Sequence, residues 1–246
     1  MTVNHLGQPI GDAVTNWKIP EPPPKEVLVG RFCRLEPLDV GAHARPLWNA
    51  NSLDREHRNW TYLFHGPYAA YDDYVEWVGR ASSTTDPLFF AVIDGADRAV
   101  GVAAYLRVAP DAGSIEVGHI NFSPLLQRTP AATEAMYLMM SRVFDLGYRR
   151  YEWKCDALNS PSRAAAQRLG FSFEGVFRQA LVYKGRNRDT AWYAMIDRDW
   201  PATKAGFERW LSPANFDHAG QQRTRLTTTR SNAPPAAATP PTADAT

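Results

Sequence analysis

The segment Phe122-Ser-Pro-Leu-Leu-Gln-Arg-Thr-Pro-Ala-Ala-Thr-Glu-Ala is where residue types and spacing first suggest chemistry. A β-rich run, Ser114-Ile-Glu-Val-Gly-His-Ile-Asn-Phe, leads into it. Ala132, Met136, Met139, Val143 and Leu146 follow at helical steps, with Gly147 where a C-terminal cap belongs. A strand that empties into a helix N-terminus gathers unpaired backbone N–H groups and the positive end of the helix dipole, which suits a pyrophosphate. Ala131 and Ala132 are small enough to let an anion reach the backbone. The same residues also read as an ordinary helix start, with Thr129 as N-cap and Pro130 at the first helical position.

The elements that would position this loop are legible from periodicity. Val27 to Pro37 reads as a first strand, and Ala44, Leu47 and Trp48 give helical spacing over Val40–Asn51. A second helix is predicted from Tyr71 to Ala81. Leu88–Asp94 and Arg98–Val108 flank a turn at Gly95-Ala-Asp and read as a hairpin. Tyr151–Asp156 alternates as a strand. Ser160 and Pro161 then start a helix ending at Gly170, and the runs Ser172–Lys184 and Asp189–Ile196 close the core. This order predicts an α+β domain around one mixed sheet.

Composition bounds the rest. The 246 residues suit one catalytic core with appendages, and 44% hydrophobic residues can bury it. Residues 1–24, with Pro9, Pro20, Pro22, Pro23 and Pro24, read as an extended arm, 25–211 as the folded domain, and 212–246 as a polar, then Thr/Ala/Pro-rich tail expected to be disordered. A net charge of +1 provides no field for nucleic acid, and the arginines Arg142, Arg149, Arg150, Arg186 and Arg188 read as solvated surface. Cys33 and Cys155 stand far apart, the six histidines lack metal-ligand spacing, and no signal peptide or apolar span is visible. The expectation is a cytoplasmic, metal-free protein.

Gln127-Arg-Thr-Pro-Ala-Ala resembles the pyrophosphate loop Gln/Arg-x-x-Gly-x-Gly/Ala of the GNAT (Gcn5-related N-acetyltransferase) family. Asn159-Ser-Pro-Ser-Arg-Ala-Ala-Ala-Gln-Arg-Leu-Gly-Phe resembles that family's later Asn-x-x-Ser…Leu-Gly-Phe segment. The similarity covers Val27 to Trp200 and is nearest to RimJ/RimL-type enzymes, which acetylate protein N-termini or small amines. It implies a GNAT-like single domain with a central mixed, mostly antiparallel sheet flanked by helices, and acetyl-CoA as cosubstrate. By resemblance, backbone groups of Phe122 and Ser123 would meet the pantetheine arm. Gln127, Arg128, Thr129, Ala131 and Ala132 would cradle the diphosphate, and Asn159 and Ser162 would border the thioester. Two positions depart from the pattern: Pro130 replaces a glycine and removes an N–H donor, and Ala166 stands where many relatives carry a tyrosine acid, leaving Ser162 as the nearest hydroxyl.

Acetylation would require the amine to lose a proton, for which Glu116 is the expected base and His119 the alternative. Backbone N–H groups near Phe122 would polarise the thioester carbonyl. Trp60, Tyr62 and Tyr68, with Phe64, are expected to wall the acceptor site, while Trp77 fits helix packing from its spacing to Tyr74. The expected partner is a small-molecule amine, including aminoacyl-type metabolites, or a peptide N-terminus, for a monomer or homodimer. A non-catalytic acyl-CoA-binding module is the alternative from a different class.

Overall fold

The computed structural model describes residues 2–228; the rest of the Thr/Ala/Pro-rich tail, from residue 229, lies outside the described residues. A short hairpin, β1 (Thr2–Val3) and β2 (Pro9–Ile10), begins the arm. The core runs β3 (Leu28–Val29), β4 (Cys33–Pro37), α1 (Val40–Asn51), α2 (Tyr71–Ser83), β5 (Leu88–Asp94), β6 (Ala99–Ala109), β7 (Ser114–Phe122), α3 (Pro130–Asp145), β8 (Arg150–Asp156), α4 (Ser160–Arg168), β9 (Ser172–Tyr183), β10 (Arg186–Ile196) and α5 (Trp200–Leu211). The eight strands of the core form one sheet in the order β3-β4-β5-β6-β7-β8-β10-β9. Every pairing in it is antiparallel except β7 with β8. The expected α+β architecture is therefore present, and no described helix is long and apolar enough to cross a membrane.

The sheet is covered on both faces, which is why β5 is apolar at nearly every position rather than alternating. Phe89, Ala91 and Ile93 pack with Leu47, Tyr74, Trp77 and Val78 of α1 and α2. Leu88, Phe90 and Val92 join Ile115, Val117, Tyr151 and Trp153 beneath Met136, Met139, Val143 and Phe207 of α3 and α5. Each such side chain contributes roughly 1.5–3 kcal/mol by leaving water.

Four local expectations change. The strand predicted over Val27–Pro37 is two strands, β3 and β4, folded back at Gly30-Arg31-Phe32. The turn is gripped from outside: buried Glu134 of α3 accepts from the amides of Arg31 (2.8 Å), Phe32 (2.5 Å) and Cys33 (2.9 Å). The cap of α4 is Asn159, whose side chain accepts from the Ser162 amide, and Ser160 is already helical. Helix α5 was not anticipated. Residues 212–228, expected within the disordered tail, instead pack back: Phe216 meets Trp210 edge-on, Asn215 is buried, and the Thr228 hydroxyl reaches the Arg168 carbonyl at 3.3 Å. The arm lies on the core, its Trp17 indole donating to the Gly147 carbonyl at 3.2 Å.

Candidate active site

The parallel ladder between β7 and β8 ends at Val117–Trp153, although β7 continues to Phe122 and β8 to Asp156. Against β6, the register slips by one residue between Ala104–Gly118 and Val102–Asn121. The extra residue lies at His119–Ile120, and His119 has φ 50°. The bulge turns β7 away from β8, so the facing backbone groups of the two strand ends have no partner across the sheet. At the end of β7 the Ser123 amide bonds the Val100 carbonyl at 3.0 Å. That closes the ladder and sets Phe122 at a non-hydrogen-bonded position, with its amide and carbonyl directed away from β6. The Phe122 carbonyl accepts from Asn59 (3.1 Å) and Gln127 (2.7 Å). The Asn121 Oδ1 and Ser123 Oγ atoms are buried and, among the described residues, without a partner.

The loop Gln127–Ala132 joins this opening to α3. Thr129 is the N-cap, accepting from the Ala132 amide, and Pro130 occupies the first turn. Arg128 sits at φ 60°. None of the described residues accepts from the Arg128 or Ala131 amide. The structure thus brings a strand end, small side chains and unpaired amides to one helix N-terminus, which suits a diphosphate. The Gln127 side chain is engaged with Asn59 and Phe122, and its amide donates to the Ser123 carbonyl at 3.1 Å, so the unpaired amides of this loop are those of Arg128 and Ala131.

Ser162 lies on the α3 side of the sheet, its Oγ accepting from the Trp153 indole at 3.0 Å. Ala166 is fully buried in the core, so its position presents no group to a substrate.

Glu116 and His119 occupy the opposite face. Glu116 is buried, and its Oε2 meets Arg107 at 2.6 Å and Lys154 at 2.8 Å; Lys154 also pairs with Glu152 at 2.7 Å and lies 3.8 Å from the Trp192 ring centroid. His119 projects from the bulge toward Phe89 and His65, with ring centroids at 5.0 and 5.9 Å. Burial, and secondarily the Arg107 charge, hold its pKa below the ordinary imidazole value.

The acceptor-side aromatics divide. Trp60 is buried and packs edge-on against His65, Tyr68 and Tyr74, so it supports the connection between α1 and α2 rather than lining a surface. Tyr62 and Tyr68 are half-buried; Tyr62 donates to the Leu158 carbonyl and Tyr68 meets His65 Nδ1 at 3.2 Å. Phe64 meets Tyr183 edge-on, and Lys184 donates to the Trp60 carbonyl at 2.6 Å. Sequence reasoning missed Asn59, His65, Glu134, Lys184 and Arg188. Only Glu134 stood inside a motif that could have flagged it; Arg188, read as surface, is 6% exposed.

A family profile described as "Acetyltransferase (GNAT) domain" matches residues 33–172. The fold matches the crystal structure of a GCN5-related N-acetyltransferase from Brucella melitensis at TM-score 0.84 and 49% identity, over 87% of this chain and 97% of that one. It also matches a GNAT-family structure from Chromobacterium violaceum, named as a probable acetyltransferase, at TM-score 0.74 and 38% identity, over 79% and 98%. A Salmonella typhimurium enzyme named for modifying the N-terminal serine of ribosomal protein L7/L12 shares the fold at TM-score 0.60 with 20% identity, over 70% and 99%. A search of curated proteins finds no match. The RimJ/RimL resemblance therefore holds at the level of the family and its fold. The chain belongs to the GNAT acetyltransferases and is an acyl-CoA-dependent acetyltransferase.

Proposed function

We propose that this enzyme transfers the acetyl group of acetyl-CoA to the primary amine of a small molecule or aminoacyl-type metabolite, by direct attack in a ternary complex. The observation that carries this reading is the parting of β7 from β8 beside the open N-terminus of α3. The amides of Arg128 and Ala131 would hold the diphosphate, and the free strand edges the amide-bearing arm. Acetyl-CoA supplies an activated acyl carbon: the amine nitrogen bonds to it, the carbon–sulfur bond breaks, and the ammonium proton passes to a base.

The Phe122 amide, aimed into the opening, is the proposed donor to the thioester oxygen. His119 is the proposed base, because an imidazole held below its ordinary pKa is neutral at pH 7 and has a free electron pair. Glu116, proposed from sequence, instead serves here to hold Lys154 and Arg107. Ser162, whose Oγ accepts from the Trp153 indole, keeps its own proton to give to the departing thiolate.

The choice of a small amine over a protein N-terminus rests on the straps across the acceptor face. Tyr62 to Leu158, Lys184 to Trp60 and Phe64 against Tyr183 tie the α1–α2 connection to the β8–α4 loop and the β9–β10 hairpin. On this reading they restrict the approach that a polypeptide would need open. A thiol-release assay with acetyl-CoA over a panel of small amines and N-terminal peptides tests this: turnover of peptides alone would reverse the choice, and binding of acetyl-CoA without turnover of anything would leave a binding module.

A further inference from the structure

We propose that Arg188 is the receptor for a carboxylate on the acceptor, so that the enzyme's amines are amino acids or other amines bearing a carboxylate; this deepens, and rests on, the acetyl-transfer reading above. Arg188 lies on β10, on the sheet face that carries Lys154, and is 94% buried, being 6% exposed. Its guanidinium lies 5.1 Å from the Phe64 ring centroid and 5.7 Å from that of Tyr183, and its Nε donates to Thr190 Oγ1 at 3.2 Å. Among the described residues, no carboxylate lies within ion-pair distance and nothing accepts from its two terminal nitrogens. Asp156, the acid paired to Thr190 across the strands, spends its two oxygens on the Leu158 amide and the Tyr183 hydroxyl, each at 2.8 Å.

Lys154, on the same face, is the control within the fold. Its side chain is 6% exposed, and it has two carboxylates within 2.8 Å. Where the fold buries a cation for its own structure, it supplies the counter-charge. An arginine stays charged, so burying one without a carboxylate is costly unless a ligand supplies it. The open edge of a guanidinium is a planar fork of N–H donors that matches a carboxylate in two parallel hydrogen bonds. The residues around it, Phe64 and Tyr183, belong to the same straps that close the acceptor face, so a bound carboxylate would lie on the amine's side of the sheet.

The test uses the full chain, acetyl-CoA, and amino acids each paired with its own carboxamide. Wild type should favour the acid over the amide in kcat/KM by about ten- to a hundredfold, the size of one charge-assisted pair. Arg188→Gln should erase that preference, lowering kcat/KM for the acids about ten- to a hundredfold more than for their carboxamides with the acetyl-CoA Kd unchanged; Arg188→Lys should keep part of it. Equal turnover of acids and amides by wild type overturns the proposal. So does an equal loss on both in Arg188→Gln, a preference that survives in that variant, or a preference for an aminoalkyl phosphate over the amino acids. If no amine is turned over, the acetyl-transfer reading fails and calorimetric titration of the same pairs still decides this one: amino acids binding no tighter than their carboxamides would overturn it.

Discussion

His65 lies nearly parallel to His119, ring centroids 5.9 Å apart and planes 18° apart, and also stacks on Trp77 at 4.4 Å. Burial first, then the charges of His119 and Lys184, push the His65 pKa down to about 3. The folded state therefore binds fewer protons than the unfolded state at every pH between about 3 and the ordinary value near 6.5. Stability from this group is full above about 6.5 and is lost progressively as pH falls toward 3, by up to about 2 kcal/mol at pH 5. Denaturant titrations from pH 7 to 5 should show this slope, and His65→Phe should flatten it. An unchanged slope in the variant would place the titration elsewhere.

The α3 N-terminus should govern coenzyme affinity. Replacing the partly buried Ala132 with Glu puts a carboxylate beside the unpaired amides while the buried Ala131 stays in place, and acetyl-CoA affinity measured by calorimetry should fall at least tenfold. Retained affinity in the folded variant would move the diphosphate away from this loop.

Glu134 ties α3 to the turn between β3 and β4, so its loss should be felt as stability rather than as coenzyme affinity. Three amides lose their acceptor in Glu134→Ala, two of them beside the buried Cys33 and the half-buried Phe32. A cost of about 2–4 kcal/mol in urea unfolding is expected. A loss below 0.5 kcal/mol would mean water satisfies the turn as well as the carboxylate does.

Most of the sheet was legible because its signals are local. The alternation in β8, the apolar runs of β5 and β6, and the three- and four-residue steps of α3 are written in consecutive residues. The turn inside Val27–Pro37 was not, because Gly30 is its one local sign and the stabilising group, Glu134, comes from a hundred residues away. The packing of residues 212–228 was missed for a related reason: polar composition hid Phe216 and Asn215, whose partners lie on α5, a helix that had not been placed. At the site, the loop Gln127–Ala132 between β7 and α3 was readable as a strand-to-helix motif. The state of Glu116 and Arg188 was not, since whether a charged side chain finds a counter-ion depends on strands distant in sequence.

The C-terminal contacts make a graded truncation informative. A chain ending at Thr228 should keep the Tm of the full protein, since the residues removed are Thr, Ala and Pro-rich with few core-forming groups. One ending at Ser212 removes Phe216 from Trp210 and Asn215 from the Trp210 and Thr224 carbonyls, and should lose several degrees. Equal melting of both shorter chains would mean these contacts add nothing.

The proton acceptor is decided by comparing Glu116 and His119 in one set of pH profiles. An acceptor amine with a solution pKa near ~10 must lose its proton before it attacks, and a positioned base is worth about a hundred- to ten-thousandfold. His119 is held below the ordinary imidazole pKa, so it is neutral and competent at pH 7, and the wild-type rate should fall only as pH drops through its lowered pKa. His119→Asn should lower kcat by that hundred- to ten-thousandfold at pH 7 with acetyl-CoA affinity intact, and the rate should climb again at high pH as solvent deprotonates the amine. Glu116→Gln should act mainly through Lys154 and Arg107, lowering Tm because two cations lose an anionic partner, and reducing kcat less than His119→Asn at every pH. If Glu116→Gln instead carries the larger loss and its own recovery at high pH while His119→Asn stays near wild type, Glu116 is the base, acting through the oxygen that its two cations leave free.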